Sequence, residues 1–211
     1  GHGGAERVSS GMSDPSKIET YVSVDTEANG PIPGVYSMLS LGAAAFDLAG
    51  ENPRQPIATF EVNLEPLPEA AVDADTMLWW AKHPEAWRYV QTNQVPPELA
   101  LRQFAAWLDK LPGKLVFVGY PASYDQMFVH WYMIRFVGTD PLGFSGIDLK
   151  TLAMALLLKP YRSVSKREMP ELWFEGAPPH THKALEDAVG QGILFVNMMR
   201  ELRRGTGRSS S

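Results

Sequence analysis

YVSVDTEANG, from Tyr21 to Gly30, is the stretch that decides the reading of this chain. Residues 21–25 alternate as a strand does, apolar until an acidic end. Residues two apart on a strand point to one face, so Asp25 and Glu27 can offer both carboxylates to one site while Thr26 turns away. A strand that ends in two acids needs a partner for them.

Outward from this run, residues 36–47 (YSMLSLGAAAFD) read as a second strand, and GENP at 50–53 as a turn into a third at 57–64. Three strands joined by short turns predict an antiparallel meander. Asp73 or Asp75 can cap a helix carrying Met77, Leu78, Trp79 and Trp80, with a short helix at 84–90 after it. Residues 98–109 form an amphipathic helix with Leu101, Phe104, Ala105 and Leu108 on one face. A short apolar strand at 115–118 follows, then a helix at 124–136. Ile147 and Asp148 end a strand and cap a helix at 149–158. After the basic loop KPYRSVSKRE, a last helix runs from Ala184 to about Leu202, with Leu185, Val189, Gly192, Val196 and Met199 on one stripe. Gly190 and Gly192 each cost that helix about 1 kcal/mol against alanine, which close packing on the sheet would explain. The expected fold is α/β: a mixed sheet whose first three strands are antiparallel, flanked by helices.

The 211 residues suit one domain. No apolar run approaches the length of a membrane span. With no cysteine, disulfides and thiolate metal sites are excluded, which leaves oxygen ligands and hard cations. The net charge of −5 argues against a protein that coats nucleic acid through a broad basic face. The start carries no signal-like segment, which favours the cytoplasm. Residues 1–11 read as an expression-tag remnant, 12–204 as a single domain, and 205–211 as a flexible tail.

Three further residues join the acidic pair. Asp125 opens a helix behind VFVGYPASY, and His182 and Asp187 sit in HTHKALEDAVGQG at the start of the last helix. Two carboxylates at about 5 Å repel by roughly 3 kcal/mol at an effective dielectric near 20. A divalent metal is the usual remedy, and a histidine beside it suggests hydrolysis. Taken singly, each residue has a plainer reading as a solvated strand end, a first-turn helix acid or a loop histidine.

Together the motifs resemble the DEDD superfamily of 3′–5′ exonucleases in its histidine-bearing (DEDDh) branch, with an RNase H-like fold. Asp25-Thr26-Glu27 matches the first motif, Asp125 the second, and His182 with Asp187 the third, across roughly residues 20–200. His180, seven residues before Asp187, does not fit that spacing. The Leu78-Trp79-Trp80 helix is similar to one in small bacterial exoribonucleases and phage exonucleases. Glu27 is followed by Ala28-Asn29 where proofreading members commonly have Thr-Gly, and GYPASYD lacks the asparagine often found there.

The resemblance implies Asp25, Glu27, Asp125 and Asp187 as ligands to two divalent ions, Mg²⁺ or Mn²⁺, with His182 as general base. It implies the 3′ end of single-stranded RNA or DNA as partner, RNA or short oligonucleotides first, releasing nucleoside 5′-monophosphates. Thr26, Ala28, Trp79 and Trp80 are the expected substrate contacts, although Trp79 and Trp80, at adjacent helix positions, put at least one of the two rings in the core. No membrane partner is expected, and a homodimer stays open because several family relatives act as dimers. A DNA-directed exonuclease of proofreading or repair type, and a non-catalytic nucleic-acid-binding member, remain as alternatives. Lys159, Arg162, Lys166 and Arg167 read as a solvated loop ahead of phosphate contacts; Asp148 reads as a cap. His83 and His130 have no acidic partner at useful spacing and read as structural.

Overall fold

The computed structural model describes residues 18–207. The remnant expected at 1–11 lies outside them, as do residues 208–211 of the expected tail.

The first strand, β1 (Glu19–Ala28), continues past the alternating apolar run and carries both acids within it. β2 (Met38–Phe46) and β3 (Ala58–Asn63) complete the antiparallel meander, and β2 is buried along its whole length. After α1 (Ala74–Ala81), α2 (Pro84–Val90) and α3 (Pro97–Leu108), β4 (Lys114–Gly119) inserts parallel to β1 on its other edge. Then come α4 (Ala122–Phe136), β5 (Gly146–Asp148), α5 (Leu149–Leu157), three 3₁₀ turns and α6 (Ala184–Gly207). The sheet order is β3-β2-β1-β4-β5, the mixed sheet expected.

Alternation along β1 sends its side chains into two different cores. Val22 and Val24 face α3 and α4, packing with Phe104, Phe128 and Tyr132. Tyr21 and Val118 face the other way, towards α5 and α6, with Phe195 and Met198. The central strand is covered on both sides, as a mixed sheet with parallel crossovers requires.

Caps and turns explain several boundaries. Asp73, not Asp75, caps α1, accepting from the Thr76 backbone at 2.8 Å and hydroxyl at 2.7 Å. Asp148 caps α5 through the Thr151 backbone at 2.8 Å, and its other oxygen accepts from Ala122 N at the start of α4. That second bond ties the two helix starts together and begins α4 two residues earlier than the sequence suggested.

α6 keeps part of its expected stripe: Gly192 and Val196 are buried, whereas Leu185, Val189 and Met199 are only partly so, and Ala184, Ala188, Gln191, Phe195 and Met198 are buried beside them. The helix also runs to Gly207, past the Leu202 end read from the sequence. Gly192 packs as expected: a Cβ there would overlap the Phe46 ring. Gly190 does not touch the sheet; its nearest neighbour is Pro178 at an ordinary 3.7 Å. Among the described residues, no helix is long and apolar enough to cross a membrane.

Candidate active site

The register of β1 opens the site. Its pairing with β4 ends at Ser23–Val118, while its pairing with β2 continues through Asp25–Gly42 and Glu27–Ser40. Asp25 and Glu27 therefore project beyond the end of β4, on the same face as α6. The end of a parallel strand beside a change of strand direction is where open α/β sheets place ligands.

α6 brings Asp187 to that face because β2 carries glycine opposite Asp25. A Cβ on Gly42 would overlap the Ala184–Leu185 backbone, so only glycine lets the start of α6 lie this close. Polar contacts fix the seating. The Ser23 hydroxyl donates to the Ala188 carbonyl at 2.7 Å, and the Gln191 amide nitrogen lies within reach of Ser23 Oγ, Val24 O and Val118 O at 3.0–3.2 Å. Ligand oxygens of Asp25, Glu27 and Asp187 come within 4.8 Å of one another.

Asp125 arrives from the opposite side of the sheet, in the first turn of α4. One of its oxygens accepts from both the Thr26 backbone N–H (2.8 Å) and the Thr26 hydroxyl (2.9 Å). Alternation turns Thr26 away from the other two acids, as expected, and that orientation is what lets it hold Asp125.

Burial, then the charges of Asp125, Glu27 and Asp187, hold the Asp25 carboxyl well above the usual range. Burial and the charges of Asp187 and Asp125 do the same to Glu27. Burial pushes Asp125 up to about 7 despite the opposing Thr26 bonds. One oxygen each of Asp25 and Asp187 is buried with no hydrogen-bond partner. Unsatisfied buried carboxylate oxygens are costly. An all-oxygen donor set with two such atoms is what a hard divalent cation requires, so the residues fit one.

The histidines are arranged differently from the sequence reading. His182 does come within reach of Asp187, at a positive φ of 59°. The residue bonded to Asp187 is nevertheless His180, whose Nδ1 lies 2.8 Å from Oδ1. The Thr181 N–H donates to the same oxygen at 3.0 Å. The motif spacing set His180 aside, because it lies seven residues before Asp187 and not five. His180 and His182 are two apart in the loop before α6, and the bend at His182 turns both towards Asp187.

His83 also joins the site. Its ring lies 4.4 Å from that of His182, and its Nδ1 sits 2.9 Å from the Trp79 carbonyl. Burial and then the neighbouring His180 and His83 hold His182 below its ordinary pKa, so it stays neutral at pH 7. His130 is corrected too: its Nδ1 lies 2.9 Å from Asp140, ten residues on, where the loop after α4 folds back. Lys166, read as part of a solvated loop, is exposed but lines a cavity with His180 and Asp187. Its ammonium sits 5.0 Å from the Tyr120 ring centre.

Of the expected substrate contacts, Thr26 and Ala28 are buried, and Trp80 is 1% exposed with its N–H donating to Ala28 O at 3.0 Å. Trp80 offers no free face to a base, because adjacent helix positions cannot both face outward. Trp79 is partly exposed and meets the His182 ring edge-on at 5.0 Å.

A family model described as the 3′-5′ exoribonuclease Rv2179c-like domain matches residues 20–199. The 3′-5′ DNA exonuclease Cap18 of Escherichia coli is 31% identical over 184 residues, which cover 84% of this chain and 90% of that protein. Among solved structures, the nuclease domain of 3′hExo, a DEDDh family member bound to rAMP, superposes with a TM-score of 0.63 at 13% identity, covering 88% of this chain and 94% of that one. S. pombe Pop2p in its Mg²⁺- and Mn²⁺-bound form gives 0.60 at 14% identity, covering 84% and 82%.

Proposed function

Since this chain belongs to the Rv2179c-like 3′-5′ exoribonuclease domain family, we propose that it removes nucleotides from the 3′ end of single-stranded RNA or short oligonucleotides, with His182 as general base. It is a 3′–5′ exonuclease of the DEDDh class with an RNase H-like fold. One observation carries the assignment of the site: Asp25, Glu27 and Asp187 converge within 4.8 Å, with two buried oxygens left unpartnered.

In this reading Asp25, Glu27, Asp125 and Asp187 hold two divalent cations, Mg²⁺ or Mn²⁺, the ions in the Pop2p structure. Bound cations would supply Lewis acidity to the attacking water and to the leaving 3′-oxygen. Thr26 holds one oxygen of Asp125, and Thr181 with His180 holds one of Asp187, which would leave the other oxygen of each to a cation. Such outer contacts orient ligands and tune affinity. His182, neutral at pH 7, accepts the proton of the attacking water, a step contributing about 10²–10⁴ in rate. The phosphodiester P–O3′ bond breaks, and a nucleoside 5′-monophosphate leaves. Trp79 stacks on the terminal base, with Thr26 and Ala28 acting through the strand that positions Glu27.

The Cap18 relative supports a second reading, DNA as substrate. Incubation of 5′-labelled RNA and matched DNA with Mg²⁺ or Mn²⁺ separates the two. The proposal expects a ladder shrinking from the 3′ end, faster on RNA, and lost in Asp25→Asn. Faster DNA degradation transfers the assignment to the second reading; internal cuts reject both. The cytoplasm, where single-stranded 3′ ends and Mg²⁺ coexist, completes the proposal, and sedimentation tests the homodimer that the family suggests.

A further inference from the structure

We propose that His180, His182 and Asp187 form an inhibitory site for a borderline transition-metal ion, Zn²⁺ above all, overlapping the catalytic centre at His182 and Asp187. Binding at this triad is independent of the exonuclease reading; its effect on turnover rests on that reading.

One ligand atom from each of the three residues lies within 4.8 Å of the others. Two imidazoles and a carboxylate are a zinc donor set, completed to a tetrahedron by water. Mg²⁺ prefers oxygen and an octahedron, so it gains little from the two nitrogens. Asp187 belongs to both this triad and the all-oxygen group with Asp25 and Glu27, so the two sites compete for it.

The loop prepares the pair. His180 and His182 flank Thr181 in the loop before α6, and with His182 at a positive φ the two rings lie with centres 4.2 Å apart. His83 backs the His182 ring from another side at 4.4 Å. The His180 side chain is 54% exposed, so an ion and its water reach the triad without opening the fold. Ligand bonds of about 2.0–2.1 Å in a tetrahedron separate donor atoms by roughly 3.3 Å. The His180–Asp187 pair, now at 2.8 Å, therefore opens by only about 0.5 Å to admit the ion. The hydrogen on His180 Nδ1 moves to Nε2, leaving a neutral ring.

A zinc ion seated there takes the lone pair of His182 and draws Asp187 away from the hard-cation site. Nuclease turnover then stops, and raising Mg²⁺ opposes the inhibition.

The test titrates Zn²⁺ into the full chain at saturating Mg²⁺ by calorimetry, with Co²⁺ as a visible probe of coordination. One Zn²⁺ per chain and intense tetrahedral Co²⁺ bands are expected. His180→Gln keeps a donor towards Asp187 but removes a ligand. It is expected to weaken Zn²⁺ at least about 100-fold and to relieve inhibition relative to its own zinc-free rate. If that variant misfolds by circular dichroism, His182→Gln, read by calorimetry alone, carries the same expectation. Equal Zn²⁺ affinity in wild type and variant, or only the weak Co²⁺ bands of octahedral oxygen coordination, overturns the proposal. Loss of the exonuclease reading would leave the Co²⁺ bands intact, whereas loss of the zinc site would leave Mg²⁺-dependent activity intact.

Discussion

Thr26 gives both its backbone N–H and its hydroxyl to a single oxygen of Asp125, at 2.8 and 2.9 Å, across 99 residues of sequence. Through this pair the first strand positions an acid from the opposite layer of the fold. Hydrogen bonds to charged groups contribute about 1.5–3 kcal/mol each. Thr26→Val removes one and keeps the strand. The expected result is a Mn²⁺ requirement raised about tenfold, with partial recovery of rate at high Mn²⁺. Rate measured against Mn²⁺ concentration checks this, with Thr26→Ser as the near-normal control.

The acidic cup is expected to destabilise the metal-free fold. Burial raises Asp25, Glu27 and Asp125, the last to about 7. Unfolded, these groups titrate near pH 4. Between about pH 4 and 7 the native state thus binds more protons than the unfolded chain, so their contribution to stability is present at acid pH and lost as pH rises. Asp125→Asn keeps an oxygen for Thr26 and removes the charge. In EDTA its melting temperature is expected to exceed wild type by a margin that grows from about pH 5 to pH 8. A margin that shrinks over that range contradicts the argument.

Two glycines make a contrasting pair. Gly42→Val places side-chain atoms in the Ala184–Leu185 backbone and is expected to cost several kcal/mol, displacing α6 and with it Asp187. Gly190→Ala meets only Pro178 at 3.7 Å and is expected to stabilise the helix by about 0.5–1 kcal/mol. Denaturant unfolding of both variants measures the difference.

The adjacent tryptophans should separate by phenotype. Trp80→Ala empties a buried site and breaks the bond to Ala28 O, costing about 3–5 kcal/mol. Trp79→Ala removes an edge contact to His182 and a partly exposed ring. A smaller stability loss, with a rate lowered about tenfold, is expected for Trp79, read from melting curves and single-turnover kinetics.

Local rules made much of this legible in the sequence. The shared face of Asp25 and Glu27 followed from strand alternation and the meander from its turns, whereas Asp125 and Asp187 were singled out only by the motif pattern that resembles the DEDDh family. The approach of His182 to Asp187 followed as well; the other histidine contacts did not. His180 meets Asp187 through a loop whose path depends on the backbone of His182, and periodicity says nothing about loops. His83 reaches His182 across 99 residues, and the His130–Asp140 pair needs a fold-back that the sequence does not signal. Thr26 was read correctly as facing away, but its partner lies in another layer. The stripe read on α6 holds at Gly192 and Val196 but passes over Gln191, a polar residue buried as a tie between β1 and β4.

Anomalous diffraction from crystals soaked in Mn²⁺ tests the shared cation site most directly. Manganese peaks touching the unpartnered oxygens of Asp25 and Asp187, with Glu27 and Asp125 completing the ligands, are the predicted result. Peaks confined to other surfaces, with Asp25 and Asp187 contacting no ion, would contradict it.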